Sequence, residues 1–160
     1  MCLYSKQQEA AIAECDIICY KLFFVIDKLY KPDKTVKKVG DITAVFRDDY
    51  IYHFDKETKK AVEPNFTEHV EYSSPFSDEI EYDINDGFHS YKTIEEAEDM
   101  AKMFMHNQTM KDGKRRLVLY RCVIPVGSHY YEGMSSWTKS GYCSDTIMLN
   151  ELLIDYSQMS

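Results

Sequence analysis

The chain lacks most of the features that make a chemistry easy to recognise. Its five cysteines, Cys2, Cys15, Cys19, Cys122 and Cys143, are odd in number and include no C-x-x-C pair, which points to free thiols packed as small hydrophobes. The histidines, His53, His69, His89, His106 and His129, stand apart from one another, so the short-spaced Cys and His pairs of a zinc site are missing and no metal is expected. The six glycines are scattered, which excludes a glycine-rich nucleotide cradle, and no nucleophile elbow, Ser-His-Asp set or phosphate loop occurs. No apolar run reaches the roughly 18 residues of a membrane helix. The densest, Ile17 to Ile26, carries Lys21 in its middle and reads as a buried strand. Met1 to Lys6 shows no basic segment leading into an apolar one, so the expectation is a cytoplasmic protein without membrane contact. Repeats and low-complexity tracts are also missing, and residues 1–160 read as a single domain.

What is present is a large apolar and aromatic complement: 44% hydrophobic residues, with 13 tyrosines against one tryptophan. Tyrosine in this number suits half-buried strands and contact surfaces, because the ring buries area while the hydroxyl keeps a polar partner. The formal net charge is −8, unevenly distributed. Between Glu63 and Asp99 lie twelve acidic residues and one basic residue, Lys92, the wrong sign for a phosphate-tracking face. Non-specific nucleic-acid binding is therefore not expected, and the acidic run reads as a solvated face or a docking surface for a basic protein partner.

Periodicity predicts an α+β fold with a twisted, mainly antiparallel sheet. Strand signals fall on Ile17 to Ile26, on Asp41 to Phe46 and Tyr50 to Phe54 as a hairpin, and on Leu117 to Ile124 and Ile147 to Ile154. Glu79 to Ile84 alternates, with Ile80, Tyr82 and Ile84 to one side and Glu79, Glu81 and Asp83 to the other. That charged face is the candidate partner surface. Asn85-Asp86-Gly87 reads as a plain turn, since the closing glutamate of a calcium loop is missing. One principal amphipathic helix is predicted over about residues 93–107. Thr93 and Glu96 form a capping box, and Ala97, Met100, Ala101, Phe104 and Met105 form one apolar face. Residues 5–14, with Ala10, Ala11 and Ala13, predict a second, short helix.

The order of these elements resembles the mono-ADP-ribosyltransferase-like fold. The likeness is carried by the Cys19-Tyr20-Lys21 strand, by Gly87-Phe88-His89-Ser90-Tyr91 leading into the helix, by Ile124-Pro125-Val126-Gly127, and by Tyr142-Cys143-Ser144-Asp145 before the last strand. Several of these segments are also similar to small uncharacterised proteins of gut bacteria and their phages. The fold resemblance implies that Ser90 or Tyr91 occupies the second-strand ligand position and that Asp145 or Glu151 is the acid. The catalytic candidates are accordingly Tyr91 and Asp145. A carboxylate held against the ribose would stabilise the oxocarbenium-like state in which the nicotinamide bond breaks. The first-strand position falls near Tyr20-Lys21, where the fold's arginine or histidine is replaced.

That replacement favours a non-catalytic binding or interaction module on an ADP-ribosyltransferase-like scaffold, with no cofactor. The alternative is a divergent ADP-ribosyltransferase or other NAD- or nucleotide-processing enzyme, for which NAD would be the cofactor. Under either reading the contact residues are expected in His89 and in a loop after the Pro125-Gly127 turn, where His129, Tyr130, Tyr131 and Trp137 gather rings and polar groups. His89 and that loop are expected to border one concavity, and Tyr20, Tyr91 and Asp145 to share one cleft in the enzyme reading.

Overall fold

Two ten-residue strands set the architecture. In the computed structural model, which describes residues 3–27, 40–46, 50–70, 82–105, 115–135 and 140–158, they are β3 (Ile17–Ile26) and β9 (Arg115–Ile124). They pair antiparallel without a break from Ile17↔Ile124 to Ile26↔Arg115. The other elements in chain order are β1 (Leu3–Ser5), β2 (Ala11–Ile12), β4 (Ile42–Ala44), β5 (Ile51–Tyr52), β6 (Lys60–Val62), β7 (Tyr82–Ile84), β8 (Phe88–Tyr91), α1 (Ile94–Met105), β10 (His129–Gly133), β11 (Gly141–Ser144), β12 (Thr146–Asp155) and a closing 3-10 turn, Tyr156–Gln158.

The main sheet runs β2-β10-β11-β8-β3-β9-β12-β6, with β4 and β5 branching from β3; β1 and β7 form a separate ribbon. Every pairing is antiparallel, and one α-helix is present among the described residues. The expected α+β class with a mainly antiparallel sheet is what the chain forms. No helix among those residues is long and apolar enough to cross a membrane.

Both faces of β3 are covered, which explains why its sequence is a continuous apolar run and not an alternation. Cys19 and Phe23 pack to one side with Phe88, Val118, Cys122 and Ile147. Leu22 and Phe24 pack to the other against Ala97, Met100 and Ala101 of α1. Ala97 and Ala101 are fully buried, and their small side chains let the helix lie close to the sheet. The Thr93 cap forms as its sequence predicts, with the Glu96 amide donating to Thr93 Oγ1 at 3.4 Å. Glu95 and Glu96 in the first turn and Lys102 in the last follow the helix dipole.

Two expectations are corrected. Residues 5–14 do not form a helix: Leu3–Ser5 and Ala11–Ile12 are extended. The Tyr4 amide donates to the Met134 carbonyl at 2.7 Å, and Ala13 donates to Ser128 at 2.9 Å. The edge of β10 offers these partners, and tertiary pairing overrides alanine's helix preference. The segment after Pro125-Gly127 is also no loop. His129–Gly133 is β10, paired with β11 and β2.

Candidate functional site

The site arises from a local mismatch in the sheet. One edge of β3 is taken along its whole length by β9. The other is shared: β8 meets it at Tyr20↔Tyr91 alone, and β4 pairs from Phe23↔Ala44 to Val25↔Ile42. Lys21 and Leu22, between these two pairings, have ladder partners only on β9. A wedge therefore opens between the start of β8 and the end of β4. It encloses a cavity of about 210 Å³ with Lys21 and Leu22 at its floor, Val45 and Phe46 on the β4 side, and Phe88 and His89 on the β8 side.

Because β3 keeps unbroken register with β9, its peptide groups alternate strictly between the two edges. The Ile26 amide donates to Asp41 at 2.9 Å, and its carbonyl accepts from Gly40 at 2.7 Å. By the same alternation the Leu22 peptide groups face the wedge.

Lys21 fills part of the gap with its side chain. It is only 8% exposed, and its Nζ donates to the carbonyl oxygen of His89, a backbone group that the splaying of β8 leaves off the ladder. The ammonium also lies 5.5 Å from the Tyr52 ring centre and 5.7 Å from that of Phe23, within cation–π range. No carboxylate among the described residues lies within ion-pair distance of it.

His89 is neutral here. Burial and then the Lys21 charge push its imidazole down to about 3. Its Nε2 lies 3.2 Å from the Ile84 carbonyl; a carbonyl only accepts, so the proton sits on Nε2. Tyr91 also lines the cavity and is 3% exposed. Its hydroxyl is buried without a hydrogen-bond partner among the described residues. Burial, with Glu96 adding to it, raises the phenol well above its usual value, so it stays protonated.

At the rim Glu63 is held on both oxygens. The Tyr50 hydroxyl donates to Oε2 at 2.8 Å and the Asn65 amide to Oε1 at 3.1 Å. Asp86 lies on the same cavity. Gly87 stands where β8 begins, at φ +144°. A Cβ there would run into Cys143 Sγ and lie 3.1 Å from the Ser144 carbonyl oxygen, so only glycine lets β8 lie this close to β11.

Of the residues singled out by sequence, the structure brings His89 and Tyr91 to this cavity and places the other described ones elsewhere. Tyr20 sits opposite Tyr91 on β3 but does not line it. Asp145 joins β11 to β12 and is engaged by His129: its Oδ1 accepts from the His129 amide and its Oδ2 faces Nδ1, both at 3.1 Å. Glu151 on β12 pairs with Arg121 of β9. His129 and Tyr130 lie along β10, and Tyr131 is fully buried with its hydroxyl donating to the Thr67 carbonyl at 2.9 Å. None of these β10 residues lines the cavity.

In the acidic strand, Asp83 is half-buried on β7 opposite Tyr4. Glu79, Glu81 and Trp137 lie outside the described residues. No cluster of metal-ligating side chains occurs among the described residues.

Sequence reasoning passed over Lys21 and Glu63. A lysine inside a ten-residue apolar strand was the available signal for the first. Glu63 carries no comparable mark, because only the pairing of β6 with β12 (Thr146↔Val62) brings its segment to the sheet. Comparison of the chain with protein-family models, curated proteins and solved structures finds no match.

Proposed function

We propose that this protein is a binding module that holds a small ligand in the β3–β4–β8 wedge, on a scaffold like that of the ADP-ribosyltransferases. The observation that carries this reading is a cavity lined by a buried lysine that has no carboxylate partner among the described residues. Buried polar groups are almost always satisfied, and exceptions mark functional sites or bound partners. The scaffold assignment is supported by position: Lys21, His89 and Tyr91 stand on the two strands where the resemblance puts ligand contacts. Binding without turnover fits the side chains. An imidazole held near 3 is a poor general base at neutral pH, and among the described residues no serine or cysteine lines the cavity.

NAD processing is the second reading, favoured by Glu63. A carboxylate fixed by Tyr50 and Asn65 at a cavity rim is the kind of group that steadies an oxocarbenium-like state. Labelled NAD hydrolysed or transferred by the wild-type chain, and not by Glu63→Gln, would replace the binding reading with this one.

The binding reading is tested by amide chemical-shift mapping of the folded chain with single-ring aromatic fragments. Shifts clustered on residues 21–22, 45–46 and 87–91 are expected. Shifts confined to other surfaces, or none, would overturn it.

A further inference from the structure

We infer that the wedge takes a small aromatic zwitterion, its carboxylate on Lys21 at the floor and its amino group against Glu63 at the rim. This rests on the binding reading above and adds the chemistry of the ligand.

The floor asks for one negative charge. Lys21 Nζ has three donors and spends one on the His89 carbonyl. An ammonium buried to this degree is costly unless an anion and hydrogen bonds compensate it, and no carboxylate of the described chain does so. The neighbouring groups supply no competing charge. The His89 ring is neutral, and the Tyr91 phenol stays protonated. A carboxylate, with two acceptor oxygens, can use both remaining Lys21 donors.

The walls ask for a flat apolar body. Tyr52 lies 5.0 Å from Tyr50 and 5.6 Å from Phe88, ring centre to ring centre. Phe46, 41% exposed although it lines the cavity, closes the other side. These rings touch one another and form a continuous aromatic wall, against which a flat ring can pack through offset or edge contacts. The volume of about 210 Å³ is below the range of about 300 Å³ and upward that holds drug-sized ligands, which limits the body to a single ring system.

The rim asks for positive charge. Glu63 presents two oxygens, each with one donor already and a remaining lone pair, and Asp86 adds a second carboxylate on the same cavity. Such a rim repels a second anionic group on the ligand, which disfavours phosphate esters and polyphosphates, and attracts an ammonium.

The test uses the full chain and five probes followed by amide shifts and calorimetry: 4-(aminomethyl)benzoate, benzoate, benzylamine, benzyl alcohol and phenyl phosphate. The zwitterion is expected to bind at least tenfold more tightly than benzyl alcohol and more tightly than phenyl phosphate. Lys21→Met should cost the zwitterion and benzoate tenfold or more and leave benzyl alcohol unchanged. Glu63→Gln should weaken the two amine-bearing probes alone.

Benzyl alcohol binding as tightly as the zwitterion in the wedge would overturn the inference and leave the binding reading standing. Tighter binding of phenyl phosphate, or indifference of benzoate to Lys21→Met, would do the same. Failure of every probe to shift wedge amides would overturn both. The wild-type selectivity series decides the matter even if a variant fails to fold.

Discussion

Acidification should weaken this fold through one side chain, His89. A neutral, half-buried imidazole in the folded chain and a solvated one in the unfolded chain titrate at different pH. The folded value is about 3, against an ordinary value of 6.5, first because burial penalises the imidazolium and second because Lys21 repels it. For a base with a depressed folded value, the unfolded chain takes up the proton first. The stabilising contribution is therefore complete above about pH 6.5 and is lost as the pH falls toward 3. At about pH 5 the loss amounts to about 2 kcal/mol, a sizeable share of the roughly 5–15 kcal/mol typical of a domain.

The lowered carboxylates Asp55 and Asp155 lose their stabilising contribution only as the pH falls through the ordinary 3.8 and below, so they do not obscure the change down to about pH 5. Urea unfolding at about pH 7.5, 6 and 5 would measure the effect, with His89→Gln as the reference. Glutamine can still donate to the Ile84 carbonyl but does not titrate, so the wild-type chain should lose about 2 kcal/mol more than the variant between the end points. Parallel pH profiles for the two proteins would refute the assignment of a neutral, desolvated His89.

Three further outcomes are expected. Gly133→Ala should cost at least about 3 kcal/mol in a denaturant melt, since its Cβ would collide with the Tyr4 carbonyl and lie 3.1 Å from Ser5 Cα. Gly127→Ala, where φ is +88° but the space is open, should cost about 1 kcal/mol; equal costs would show that β1 does not press on β10. Asp145→Ala removes the acceptor of the His129 amide and should destabilise the fold by about 1–3 kcal/mol while leaving fragment affinity in the wedge unchanged. Lost affinity with the fold intact would return Asp145 to the site. In a Cys2→Ser background, iodoacetamide at neutral pH should label Cys15 in the native state and spare Cys19, Cys122 and Cys143, because the first is exposed and the others are buried. Burial pushes the Cys19 thiol up to about 11 and raises the other two as well. Rapid native labelling of Cys19 or Cys122, checked by peptide mass, would contradict the closed β3–β9 pairing.

By itself the sequence determined the elements whose signal is local. Ile17–Ile26 is a strand because a run of β-branched and aromatic residues has no better way to bury both faces, and the largely apolar stretch from Leu117 to Ile124 forms most of Arg115–Ile124. Ile94–Met105 is a helix because a cap, a helical apolar stripe and dipole-matched charges agree. His89 and Tyr91, which the sequence offers as a contact residue and a catalytic candidate on the strand before that helix, both line the cavity. Tertiary structure decided the rest. Residues 5–14 form no helix because the edge of β10 and its flanks offer hydrogen bonds that outweigh an alanine-rich helix preference. Tyr131 is core and not contact surface because β10 is a paired strand that carries its ring into a cluster with Leu3, Ile84 and Cys143. Two register shifts in β12, between Leu149 and Glu151 and between Leu152 and Ile154, break an alternation that no local pattern announces. The wedge itself exists only because two strands far apart in sequence share one edge of β3 and leave Lys21 and Leu22 between them. A vacancy between non-local pairings has no local signature; a lysine in an otherwise apolar strand was the one trace of it in the sequence.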